Sequence, residues 1–137
     1  MSYSFQITIH MILMILFLVF AISGIITVKF FKKKTSKWFI LHKTFMLIGV
    51  LSSLSGFIWI FYVVQSTSGV HFTVLHAILG IVTLVTAFSA PVLGFRIMSS
   101  KTSNSVKPLL RKIHRFIGWL ALVLVIITVF TGLSLFL

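Results

Sequence analysis

Four stretches of apolar sequence, each long enough to cross a lipid bilayer, constrain this chain more than any other feature. They predict helices over residues 5–31, 37–64, 71–98 and 108–136. At a rise of about 1.5 Å per residue, each exceeds a hydrocarbon core of about 30 Å. Backbone amides inside lipid find no water to bond, so a segment of this kind closes its hydrogen bonds within itself as a helix. The intervening segments "KKKTSK", "QSTSG" and "SSKTSNSVKP" are short and polar, which makes successive helices antiparallel neighbours. The expected fold is an all-α membrane protein, an antiparallel four-helix transmembrane bundle. Residues 1–137 are expected to form one domain. Pro108 suits a helical first turn, whereas Pro91 is expected to kink the third helix.

Composition agrees with this expectation: 59% of the residues are hydrophobic and 9% charged. The mean hydropathy is +1.21. There is no cysteine, which excludes disulfides, thiolate ligation and iron–sulfur clusters. There is also no Asp or Glu, the usual intramembrane carriers of protons and cations, and this weighs against a pump or coupled transporter.

The net charge of +12 could suggest nucleic acid, but its placement argues otherwise. Lys29, Lys32, Lys33, Lys34, Lys37 and Lys43 surround the first connection. Arg96, Lys101, Lys107, Arg111, Lys112 and Arg115 surround the third. Neither the second connection nor either end carries Lys or Arg. Positive charge collects on the cytoplasmic side, so the first and third connections are expected inside and both termini outside. No nucleic-acid partner is needed to explain it. No basic residue precedes the first apolar run, which is therefore read as a retained span rather than a signal peptide. Tyr3, Trp38, Trp59 and Tyr62 fall near span ends, where interfacial aromatics collect.

Each span carries one histidine about a turn inside its start: His10, His42, His76 and His114. Alternate helices run in the same direction, so His10 and His76 share one depth and His42 and His114 the other. Alternate helices of a four-helix bundle also stand diagonally, leaving a gap wide enough for a flat macrocycle. Two neutral imidazoles facing each other across that gap would make a six-coordinate haem iron, suited to electron transfer. Removing about 5 Å from each end of a core of about 30 Å leaves the two irons roughly 20 Å apart. The expected cofactors are two haem b, one held by His10 and His76 on the outer side and one by His42 and His114 on the cytoplasmic side.

Glycines follow these histidines at repeated offsets. Gly80 and Gly118 come four residues later, Gly24 and Gly56 fourteen, Gly94 and Gly132 eighteen, and Gly49 follows His42 by seven. A glycine lets a ring approach the backbone, so Gly80 and Gly118 in particular are expected to face haem. Lys43 and Arg115, directly after two of the histidines, are candidate partners for haem propionates, with Arg111 and Lys112 one turn away. His71 lies too far around the helix from His76 to share its haem and is expected at the outer surface, as a cap, a propionate partner or a proton acceptor for a quinol.

The motifs resemble those of the cytochrome b561 family. "HMILM" is similar to that family's His-x-x-x-Met opening, and "WFILHKTFMLIG" to its second core helix. "LHAILGIVTLV" with "PVLGFR" resembles the third, and "RKIHRFIGWLALVLVIITVFTGL" the fourth. The resemblance covers nearly the whole chain and extends to the bare four-helix core only. It implies two b-type haems with the same histidine pairing, transmembrane electron transfer and frequent homodimerisation. It also implies a small reductant such as ascorbate; a membrane quinol suits this chain at least as well.

These features lead to a dihaem cytochrome passing electrons across the bilayer, from a quinol-type or ascorbate-like donor to a redox partner such as a cytochrome. The alternative is a haem-bearing membrane anchor subunit of a larger oxidoreductase. A four-helix multidrug transporter has the right size but needs a membrane-embedded glutamate. Ferric-reductase-like bundles need two ligating histidines about 13–14 residues apart on one helix, and no pair here has that spacing.

Overall fold

The computed structural model describes residues 3–67 and 74–134, the side chain of Tyr3 excepted. His71, the first residues expected for the third helix and the last expected for the fourth lie outside the described residues. Four helices are present: α1 Tyr3–Ile26, α2 Trp38–Thr67, α3 Leu75–Met98 and α4 Lys107–Leu133. All four are long and apolar enough to span a membrane, and the protein is an integral multi-pass membrane protein.

The ends differ from expectation in detail. The first segment does not remain α-helical to residue 31, because Thr27–Phe31 forms a π-helical turn. Its wider winding carries one extra residue per hydrogen-bonded turn. Pro108 does occupy the first turn of α4. Pro91 lies inside α3, which continues helical on both sides of it, although the proline has no N–H to offer the carbonyl of Ala87.

Small residues fill the interior and large ones face outward. Seven residues past the four histidines stand Phe17, Gly49, Thr83 and Ala121, and eleven past them stand Ala21, Ser53, Ala87 and Val125. All eight are buried. Offsets of seven and eleven are close to two and three helical turns, so each helix presents one stripe inward, with its histidine at the end of it. Outside, Ile12, Val19, Leu51, Ile58, Val85, Val92, Phe116 and Phe130 are exposed. Water would penalise such a surface, but lipid does not. With no hydrophobic drive between helices in a bilayer, close approach depends on small side chains.

Hydroxyls on the helices are satisfied mostly by their own backbone, as with Ser23 to the Val19 carbonyl and Thr86 to that of Val82. No buried side-chain polar atom among the described residues lacks a partner.

The helices form a ring in chain order, with α4 closing onto α1. The α1–α2 and α3–α4 interfaces are extensive, whereas α2–α3 and α4–α1 are thin. Among the described residues, α1 and α3 make no close backbone approach, nor do α2 and α4. The molecule is two tight hairpins set side by side, with a diagonal gap at each level.

Candidate metal centres

The four histidines meet in two pairs across these gaps. The rings of His10 on α1 and His76 on α3 have centroids 6.2 Å apart and planes at 84°. Those of His42 on α2 and His114 on α4 are 6.3 Å apart, also at 84°. Both pairs match the depth argument, and the near-identical geometry makes them two copies of one arrangement.

Hydrogen bonds fix which nitrogen of each ring is left over. Nδ1 of His10 donates to the carbonyl of Gly56 at 2.9 Å, and Nδ1 of His42 to that of Gly24 at 2.9 Å. In the other hairpin, Nδ1 of His76 donates to Thr128 at 3.0 Å, and Nδ1 of His114 to Ala90 at 2.9 Å. A carbonyl only accepts, so Nδ1 carries the proton and Nε2 keeps its lone pair in every neutral ring. A bond of this kind fixes the orientation of a histidine whose other nitrogen is to ligate a metal. His76 has a further partner, the Thr131 hydroxyl at 3.3 Å.

One register generates all four bonds. Gly56 is fourteen residues past His42, Gly24 fourteen past His10, Thr128 fourteen past His114 and Ala90 fourteen past His76. In each antiparallel hairpin the two histidines therefore stand about 21 Å apart along the axis, at about 1.5 Å per residue.

The donor set fits a haem iron better than a bare ion. Among the described residues no three His, Cys, Asp or Glu side chains gather, so no cage exists for a simple cation. Two ligands suffice where a macrocycle supplies four nitrogens. A metal–imidazole bond of about 2.0 Å on each side, plus about 1.1 Å from ring nitrogen to centroid, requires centroids about 6.2 Å apart. Both observed separations meet that requirement.

Space for a ring is present as well. His10, His76, Met14, Phe57, Gly80 and Thr128 line one cleft. A β-carbon on Gly80 or on Gly118 would meet nothing within 4 Å. The other glycines of the stripe behave differently from the expectation that they face a macrocycle. A β-carbon on Gly132 would meet the His76 ring, one on Gly94 the His114 ring, and one on Gly56 or Gly24 the Met14 or Met46 side chain. These four glycines seat side chains from the paired helix. Offset along one helix could not distinguish the two roles, because the relevant neighbour belongs to another helix.

Lys43, Arg111, Lys112 and Arg115 are exposed beside the His42/His114 pair. Trp59, expected as an interfacial residue, donates its indole N–H to the Gln6 carbonyl at 2.8 Å and ties α2 to the first turns of α1. Sequence reasoning missed Thr128, Thr131 and Ala90 as histidine partners, and Met14 and Met46 as the packing against Gly56 and Gly24. The signal available was the fourteen-residue register of each hairpin.

A family model described as eukaryotic cytochrome b561 matches residues 9–137, a span that holds all four of the paired histidines. The chain belongs to the cytochrome b561 family. No curated protein and no solved structure matches it. Cytochrome b561 proteins bind two b-type haems and transfer electrons across membranes, exchanging them with redox donors and acceptors.

Proposed function

We propose that His10 and His76 hold one haem b, that His42 and His114 hold the other, and that the chain carries electrons between the two faces of the membrane. The observation that supports this most is the pair of diagonal contacts, 6.2 Å and 6.3 Å between ring centroids. When bound, the haems would supply a one-electron change of valence, with His10, His76, His42 and His114 holding them. The protein holds each imidazole by an Nδ1–H bond to a helix carbonyl, so little reorganisation accompanies the change. Small residues between the two levels let the helices approach and keep water out.

Topology follows from charge. The first and third connections lie in the cytoplasm with all twelve Lys and Arg residues, and both termini lie outside. This puts the His10/His76 haem on the outer side. Lys43 and Arg115 pair with propionates of the inner haem; Gly80 and Gly118 give the two rings room. The donor is a quinol-type or ascorbate-like reductant, the acceptor a redox partner on the opposite face, and the cytochrome forms a homodimer. Pyridine haemochrome assay of the purified chain tests the proposal. Two haem b per chain are expected, and a colourless protein from haem-sufficient cells rejects it.

A further inference from the structure

We infer that the α1–α2 connection binds an anionic phospholipid, whose phosphate lies among Lys29, Lys32, Lys33, Lys34 and Lys37 and whose acyl chains meet Phe30 and Phe31. This rests on the topology proposed above, which turns the connection toward the leaflet that carries anionic lipid. Five of the nine residues from 29 to 37 are lysine, and all five are exposed. The chain has no Asp or Glu, so none of its own carboxylate side chains can neutralise them. Lys43 and Arg115 are assigned above to haem propionates; these five lysines are not. Their counter-charge comes from outside the chain.

Large apolar side chains are interleaved with these cations. Phe30 and Phe31, 54% and 45% exposed, stand between Lys29 and Lys32 on the π-helical turn that ends the first span. A soluble acidic protein would pair with the ammonium groups and leave both rings uncovered. An amphiphile with an anionic head matches the cations and the rings together. Aromatic rings also hold two of the ammonium groups in place. Nζ of Lys32 lies 5.6 Å from the centre of the Trp38 ring at the start of α2, and Nζ of Lys29 lies 5.3 Å from that of Phe30. Tryptophan at a span end sits among headgroups, so Lys32 is kept in the layer where lipid phosphate lies. The third connection is built differently. There Nζ of Lys107 donates to Oδ1 of Asn104 at 3.1 Å, and Lys101 stands among Ser99, Ser100, Thr102 and Ser103.

Native mass spectrometry of the purified full chain tests this, with phosphatidylglycerol and phosphatidylcholine of identical acyl chains as the probes. Phosphatidylglycerol should bind at least tenfold more tightly. Lys32→Gln, Lys33→Gln and Lys34→Gln combined should abolish most of that preference, whereas Arg at the same three positions should keep it. Lys101→Gln should leave it unchanged. If the Gln variant fails to insert, Phe30→Ser with Phe31→Ser takes its place and should weaken phosphatidylglycerol binding severalfold. Excess inorganic phosphate should not displace the lipid; displacement would assign the lysines to a soluble anion and overturn the inference. Equal affinity for the two lipids, or a preference that survives the Gln variant, also overturns it. So does binding of polyglutamate without any preference between the lipids, which would assign the cluster to an acidic protein. Haem content of the same samples tests the function proposed above and is independent of this binding.

Discussion

Gly132 faces the edge of His76 so closely that a β-carbon there would stand 2.8 Å from Cε1 of the ring. The equivalent approach of Gly94 to His114 is looser, 3.5 Å. One extra methyl should therefore have unequal effects at two positions that are eighteen residues past their own histidines. Gly132→Ala is expected to displace His76 and to lower occupancy of the His10/His76 haem at least severalfold. Gly94→Ala should leave both haems in place. Haem content, together with the low-spin ferric EPR signals, distinguishes the two variants.

Gly80 and Gly118 give the opposite forecast, since a β-carbon at either meets nothing within 4 Å. Ala should be tolerated at both positions. Gly80→Leu should fill the space beside the His10/His76 pair and exclude that haem alone, and Gly118→Leu should exclude the other. Circular dichroism should show helix content retained, since the side chain enters open space.

Thr83 and Thr128 join α3 to α4 through hydroxyls 2.8 Å apart, both buried. Thr128 also donates to the Leu124 carbonyl, so Thr83 is the donor of the pair. Replacing Thr83 with Val keeps the shape and removes one interhelical bond. The expected loss is about 0.6–1 kcal/mol, measurable by reversible unfolding in mixed micelles.

Topology can be read from single introduced cysteines without removing any native one, because the chain has no cysteine. Single cysteines at Ser36 and Ser103 should react with a membrane-impermeant maleimide only after the cytoplasmic side is opened. One at Ser66 should react in intact cells. Reversed accessibility would move the His10/His76 haem to the cytoplasmic side.

Apolar run length revealed the four helices, and one histidine per span revealed the two levels, because both signals lie along single helices. The glycines were harder. Gly80 and Gly132 look alike as small residues on a histidine's face, yet Gly80 borders open space and Gly132 seats a ring from α3. What distinguishes them is the register between helices. The same holds for Thr128 and Ala90, whose carbonyls are chosen by hairpin alignment rather than by side-chain chemistry. The π-turn at Thr27–Phe31 has no comparable sequence mark. Its residues read equally well as a continuing α-helix.

The central claim is that each haem belongs to a diagonal pair of histidines. Alanine should be introduced singly at His10, His76, His42 and His114, and the remaining haem compared by EPR and by redox titration. His10→Ala and His76→Ala should lose the same haem and retain the same signal and potential. His42→Ala and His114→Ala should share the complementary signature. Loss of one haem on replacing His10 and of the other on replacing His76 would contradict the account.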